Sequence, residues 1–433
     1  MRLAKLGVAG VAAAVLLGGC VTSPDRPPSP SPSVPVAHSP GQSSSPPSAA
    51  PSDDALRNAA GEEVVFPVVE IAEVRPETIK ITEIAKVAPP PLDQDQVGVL
   101  ALEGKETLVW FLPVENYSGE GMIKSGGIGF RTDDGELSLF DSTEHVASDG
   151  RPRGIIGADL DDDWAVWSES SSTDLYQSNW RVFSQRRGGG APRLLAVAED
   201  QRSANWETSP IVSGDSLPIL SAGLVWWHTA WERPDGIFRP RVVAVPPDGG
   251  DVKVMLDMAS TPTPVTGGVV ATQVVDDPGV PVDERAYAYH ETGLVLIDAS
   301  GAVTDLLRYS EDVDAGRLAR NVASDGDTVA FVMGDDVLVM RIDGTPVARI
   351  PGPAPEGREF TDLAVCDGKV LFTPYNADIG GDTVVIYDSV SGALKTIDAP
   401  DAFPWVYCSD ERVGWTQAPD GWGIVTIAEM VTG

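Results

Sequence analysis

One phrase returns seven times along this chain: Gly, Asp or Glu, a variable residue, two mostly apolar residues, then a ring. It reads Glu106-Thr107-Leu108-Val109-Trp110, Asp163-Trp164-Ala165-Val166-Trp167 and Gly223-Leu224-Val225-Trp226-Trp227. It continues as Gly267-Gly268-Val269-Val270-Ala271, Asp327-Thr328-Val329-Ala330-Phe331, Gly368-Lys369-Val370-Leu371-Phe372 and Glu411-Arg412-Val413-Gly414-Trp415. The fourth copy carries Ala271 where the others carry a ring, and successive ring positions lie 41 to 60 residues apart. Repeats on this scale in a chain of strand formers predict a propeller or an array. One unit cannot bury its own apolar face and must stack on neighbours.

Residues 321–350, NVASDGDTVAFVMGDDVLVMRIDGTPVARI, give the clearest single module. A short apolar run meets the tight turn Ser324-Asp325-Gly326-Asp327, and Thr328 to Met333 is rich in β formers. A second turn leads to Val337–Ile342, and Asp343-Gly344 is a hairpin signal before Val347–Ile350. Four short antiparallel strands in one unit make a propeller blade. The last hairpin turn recurs as Asp133-Asp134-Gly135, Gly188-Gly189-Gly190, Asp248-Gly249-Gly250, Ser300-Gly301 and Ser391-Gly392. The fold class expected is therefore all-β: a single β-propeller of seven four-stranded blades over residues 61–433.

The seventh module is one strand short, because the chain ends soon after the run from Gly423 to Met430. Upstream of the first module, Thr78-Ile79-Lys80-Ile81-Thr82 alternates as a strand does, and Val64 to Ile71 is a second apolar run. One of these should pair beside residues 423–430 and close the ring, since an open ring would expose sheet edges. The alternative is an extra hairpin ahead of blade one.

The first 19 residues read as a targeting signal. Arg2 and Lys5 form the positive region, and Leu6 to Leu17 is an apolar stretch too short to span a bilayer. Leu17-Gly18-Gly19-Cys20 resembles the bacterial lipobox. That resemblance implies cleavage before Cys20 and attachment of a diacylglycerol to its thiol; an ordinary secretory signal ending in Cys is the alternative. Residues 20–60 read as a lipidated cysteine and a Pro/Ser-rich tether, too poor in large apolar residues to fold alone. Its prolines favour extended, semi-rigid chain. The expected location is the extracytoplasmic side of a bacterial cell membrane, with the bilayer itself a partner through the acyl chains.

The formal charge of -33 opposes binding to nucleic acid and to anionic headgroups. After Cys20 only Cys366 and Cys408 remain. They stand at nearly matching positions of adjacent repeats, so either a disulfide clasps those repeats or two thiols are buried free.

The phrase Ser324-Asp325-Gly326-Asp327-Thr328-Val329-Ala330-Phe331, followed by Arg341-Ile342-Asp343-Gly344, resembles the repeat of TolB-like propellers. The resemblance implies an exported propeller that binds protein or peptide partners, and it supplies no catalytic residue.

Nothing in the chain matches a nucleophile elbow or a phosphate-binding glycine loop. Asp159-Leu160-Asp161-Asp162-Asp163 could offer oxygens to Ca²⁺, but it falls where other modules carry a capped turn, and the turn is the favoured reading. No cofactor and no metal is expected. In a blade, the link between strands two and three lies on the same face as the link to the next blade. These links are long and varied here, whereas the turns on the other face are short. Tyr117, Tyr176, Trp231, Arg233, Tyr287, Tyr289, His290 and Tyr375 fall in or beside them and are the candidate ligand-binding residues, since variable loops on a rigid scaffold carry function. The expected role is a membrane-anchored scaffold that binds a protein, peptide or envelope polymer. The alternative is a propeller enzyme acting on carbohydrate as hydrolase or lyase, or a quinone-dependent dehydrogenase.

Overall fold

The structure is a computed structural model. It describes residues 56–70, 77–87, 96–112, 126–141, 143, 153–170, 180–198, 217–232, 238–276, 289–309, 319–334, 336–352, 358–376, 381–409, 412–417 and 424–430. Two strands precede the first blade, β1 (Glu77–Thr78) and β2 (Ile81–Val87). Blade 1 is β3 (Gln96–Glu103), β4 (Glu106–Leu112), β5 (Gly127–Arg131) and β6 (Leu137–Leu139). Blade 2 is β7 (Gly154–Leu160), β8 (Trp164–Ser170), β9 (Trp180–Arg186) and β10 (Arg193–Val197). Blade 3 is β11 (Ile219–Ser221), β12 (Leu224–Glu232), β13 (Phe238–Val245) and β14 (Lys253–Asp257). Blade 4 is β15 (Ala259–Val265), β16 (Gly268–Asp276), β17 (Tyr289–Asp298) and β18 (Val303–Arg308). Blade 5 is β19 (Ala319–Ser324), β20 (Thr328–Met333), β21 (Asp336–Arg341) and β22 (Pro346–Ile350). Blade 6 starts with β23 (Arg358–Cys366), β24 (Lys369–Asn376) and β25 (Gly381–Asp388).

Blades 6 and 7 share one strand. β26 (Leu394–Ser409) pairs with β25 through its first half, so it is the outer strand of blade 6. Its second half pairs with β27 (Arg412–Gln417) and is the inner strand of blade 7. β28 (Ile424–Met430) follows β27, and β2 pairs with β28 in antiparallel register from Ile81↔Met430 to Val87↔Val425. The ring therefore has seven four-stranded blades, the last completed by an N-terminal strand. First strands touch one another in the cyclic order β3, β7, β11, β15, β19, β23, β26 and back to β3, which places them around the axis.

The closing strand begins later than the alternating run at 78–82 suggests. Thr78 belongs to β1, which pairs in parallel with Lys395–Thr396 of β26. Of the run Val64–Ile71, the described residues 64–70 form no ladder; Val68 makes a single parallel bridge to Arg349 of β22. Further upstream, Arg57 and Arg308 exchange backbone hydrogen bonds of 2.9 and 2.8 Å. Residues 56–70 and 77–80 thus lie as a strap against the outer strands of blades 4, 5 and 6 before β2 enters blade 7. The strap is also sewn in by side chains. Leu56 and Phe66 are buried in the core between blades 4 and 5, Val69 packs between blades 5 and 6, and Ile79 and Ile81 pack between 6 and 7. Among the described residues, packing on the propeller includes Leu56, ahead of Gly61.

The repeated phrase is the second strand of every blade; in blades 2, 3, 5, 6 and 7 its ring reaches toward the preceding blade, whereas Trp110 of blade 1 packs toward blade 2. Trp167 joins Leu108 and Ile128, Trp227 joins Val182, Phe331 joins Leu294, and Phe372 joins Ala330. Where the ring is lost, volume is supplied from the other side: Trp226 of blade 3 shares the core with Ala271. Its indole N–H donates to the Ser221 carbonyl at 3.0 Å. The Asp343-Gly344 hairpin has Gly344 at φ +83°, a conformation that L side chains rarely adopt. Cys366 and Cys408 are joined by a disulfide with Cα atoms 6.0 Å apart, linking the inner strands of blades 6 and 7.

Candidate functional site on the loop-bearing face

Strand polarity assigns the two faces. Among the described residues, the first-to-second and third-to-fourth turns lie on one face, and these turns are short. In the acidic run of blade 2, Asp161 Oδ1 accepts from the Asp163 and Trp164 amides at 3.0 and 2.9 Å, which caps the turn. Asp159 is buried and accepts from the Leu220 amide at 2.7 Å. The opposite face carries the second-to-third links and the links between blades.

Part of what reads as loop on that face is strand. Trp231 pairs with Arg239, Asp276 with Tyr289, and Tyr375 with Glu359. The hairpins extend because β-branched and aromatic residues there continue the ladder. So Trp231, Tyr289, His290 and Tyr375 sit on strand ends rather than in loops. His290 is exposed opposite Val275. The side chains of Trp231, Tyr289 and Tyr375 lie outside the described residues, as do Tyr117, Tyr176, Arg233, Tyr287 and Cys20 altogether.

Charged groups that the sequence does not single out occupy the clefts between blades on this face. Between blades 1 and 2, Glu169 is 3% exposed. Its Oε1 accepts from Trp167 Nε1 and Thr143 Oγ1, both at 2.9 Å, and its Oε2 lies 3.0 Å from Thr143 Oγ1. Burial pushes this carboxyl up, and the bonds from Trp167 and Thr143 and the charge of Arg153 draw it partly back. Arg181, also buried, pairs across the strand with Glu169. Between blades 3 and 4, the buried Arg239 guanidinium is ion-paired with Asp276.

Between blades 4 and 5, burial pushes Glu291 from 4.5 up to about 7, against the pull of Arg320. Its Oε2 is buried with no hydrogen-bond partner among the described residues. Tyr309 faces the same cleft; its hydroxyl oxygen accepts from the Ala319 amide at 3.2 Å. Burial first, then the Glu291 charge, drive the Tyr309 hydroxyl up. Between blades 6 and 7, Asp362 sits where β23 bulges between Phe360 and Leu363. Burial pushes it well above the carboxylate range. Tyr407 on β26 is pushed up by its own burial and then by Asp362. Such bulges re-aim a side chain by breaking the ladder.

These carboxyls occupy three separate clefts, so no two stand as a general acid and base across one bond. Among the described residues no three His, Cys, Asp or Glu side chains converge on a metal position. What the face offers is a set of polar grooves, each able to hold a proton or accept hydrogen bonds. Glu291 has a consequence for stability. Its carboxyl is raised in the folded state, so the folded protein binds more protons between pH 4.5 and about 7. Stability is fully present below 4.5 and declines as pH rises toward 7. Glu291→Gln should flatten that slope in denaturant titrations between pH 4.5 and 7.5; an unchanged slope would remove Glu291 as its source.

No family model and no curated protein matches the sequence. Among solved structures, the chain is similar to an oligogalacturonate lyase from Vibrio parahaemolyticus at 9% identity. The match covers 81% of this chain and 97% of the other, with a TM-score of 0.48. It is similar to the β-propeller domain of the Trilobed protease from Pyrococcus furiosus at 10% identity, covering 78% and 98%, with a TM-score of 0.49. A puromycin-hydrolyzing peptidase from Mycobacterium tuberculosis matches at 12% identity over 78% of this chain and 53% of its own, with a TM-score of 0.46.

Proposed function

We propose that this chain is a lipid-anchored, exported propeller whose loop-bearing face binds a protein, peptide or envelope polymer. The observation that carries the binding role is the difference between the two faces. Long, varied links and polar inter-blade grooves lie on one face, and short capped turns lie on the other. A rigid ring that varies on one side only has the form of a binding scaffold. Export is supported by the lipobox-like Leu17-Gly18-Gly19-Cys20 and by the Cys366–Cys408 disulfide, a bond that persists in oxidising compartments. The anchor is the diacylglycerol on Cys20, where two acyl chains supply the two signals that stable attachment requires.

The raised carboxyls of Glu169, Glu291 and Asp362 favour a second reading, an enzyme acting on carbohydrate. Their dispersal over three clefts weighs against it. The two exposed residues His290 and Arg320 test the first reading, since both stand on the loop-bearing face. In the unanchored Cys20→Ser chain, the double substitution His290→Glu/Arg320→Glu should weaken co-sedimentation with isolated bacterial envelope fragments roughly tenfold, about 1.4 kcal/mol. Val390→Glu, on an exposed turn of the opposite face, should leave it unchanged. Equal loss from both faces would sink the assignment.

A further inference from the structure

The point where the chain joins the ring bears on how the binding face is presented. Arg57 pairs with Arg308 in both directions, 2.9 Å from the Arg57 amide and 2.8 Å from the Arg308 amide. Arg308 is the last residue of β18, the outer strand of blade 4. An outer strand ends on the face that carries the links between blades. The chain therefore leaves the propeller at the rim of the loop-bearing face, beside the Glu291–Tyr309 cleft. Leu56 fixes this exit point, because its side chain is buried with Tyr309 and Phe66 in the core between blades 4 and 5. From there the strap descends to Thr396 and the turn-bearing face, where the Ile79 amide donates to the Thr396 carbonyl at 2.8 Å.

We infer that the loop-bearing face is the membrane-facing side of the propeller, and that its partner is presented from the bilayer, as the outward part of a membrane-embedded protein. This rests on the lipid-anchored reading above. Between Cys20 and Leu56 lie the 35 residues 21–55. At about 3.1 Å per residue, a fully extended proline-rich stretch of that length spans roughly 110 Å at most. Its length sets the gap in which a partner can sit. A spacer attached to the opposite face would turn the loops away from the bilayer; attached here, it must be long enough to keep the loops clear of it. The acidic balance acts in the same direction, formally -33 before cleavage removes Arg2 and Lys5, and holds the ring off an anionic surface.

The test uses the lipidated full chain and a variant lacking residues 25–48, whose remaining spacer reaches about 35 Å at most. With Cys20 acylated and Cys366–Cys408 bonded, a cysteine introduced as His290→Cys or Val390→Cys is the thiol open to a donor dye. The acceptor is a labelled lipid in phosphatidylglycerol/phosphatidylethanolamine vesicles. In the shortened chain, energy transfer from position 290 should exceed that from position 390 at least twofold, and both should fall with the full spacer. Equal transfer, or more from 390, overturns the orientation. The Cys20→Ser chain should fail to float with the vesicles. If it floats as the acylated chain does, or if the acylated chain does not float, the lipid-anchored reading fails together with the inference.

Discussion

Removing residues 77–87 from the full chain is expected to abolish a single cooperative melt. The deletion takes away the fourth strand of blade 7 and exposes the edge of β28. Val87 is buried with Leu102, Val425 and Ile427 between blades 7 and 1, and Ala85 packs against the same cluster. Ile81 packs between blades 6 and 7. Losing these contacts costs about 3–5 kcal/mol from apolar burial alone. At about 2.1 cal/mol/K of unfolding entropy per residue, a propeller of this size would lose roughly 4–6 °C in Tm from that term. A bare edge also templates aggregation. Val87→Asp is the milder companion. It leaves the backbone of β2 intact but places a carboxylate in the interface, and should cost about 3 kcal/mol. A deletion that melts like the parent would show that β2 is dispensable for closure.

The second large effect is expected at Trp167. Its indole is buried between blades 1 and 2, stacked on Phe140 and Phe183 with centroids 6.0 and 5.7 Å away. Trp167→Ala should destabilise the protein by about 3–5 kcal/mol through the cavity it leaves. Trp167→Phe keeps much of the ring and loses the N–H that holds Glu169 Oε1 at 2.9 Å. It should cost about 1–3 kcal/mol, and the Glu169 carboxyl should titrate higher, because that bond lowers it. Equal costs for Phe and Ala in urea denaturation would mean that the hydrogen bond, not the ring, sets the value of the site.

The ring positions are legible in the sequence because each sits on a second strand, and five of them meet the preceding blade in the same way, Trp110 alone turning to the following one. The blade read from 321–350 matches the strands β19 to β22 closely, since its Gly and Asp turns lie where the chain reverses. The strap is not legible. Residues 64–70 pair through an isolated bridge at Val68, so their pattern carries no ladder period. The buried carboxyls are hidden for a related reason. Asp362 is buried because β23 bulges there, and Glu291 lies beside a register shift between Gln273 and Val274. Period-two alternation cannot mark residues at which the period slips. Glu169 carries a weak signal, as an acid two positions beyond a ring on a strand that is otherwise buried at its end.

The strap also determines how the molecule answers mechanical tension. A pull on the chain ahead of Leu56 meets the Arg57–Arg308 bridge first, then Val68–Arg349, then the short pairing at Thr78. Each is a separate attachment, so each opens alone, in sequence. The 25 residues of 56–80 have a contour of roughly 80 Å at about 3.3 Å per residue, and the part of it beyond the distance the strap already spans would be released before β2 felt any strain. β2 itself is held along a full antiparallel ladder, and a ladder pulled lengthwise must break as a unit. The seven-bladed ring thus has a yielding lead in series with a stiff closure, and a tug delivered through the N-terminus is absorbed before it can unlatch the circle.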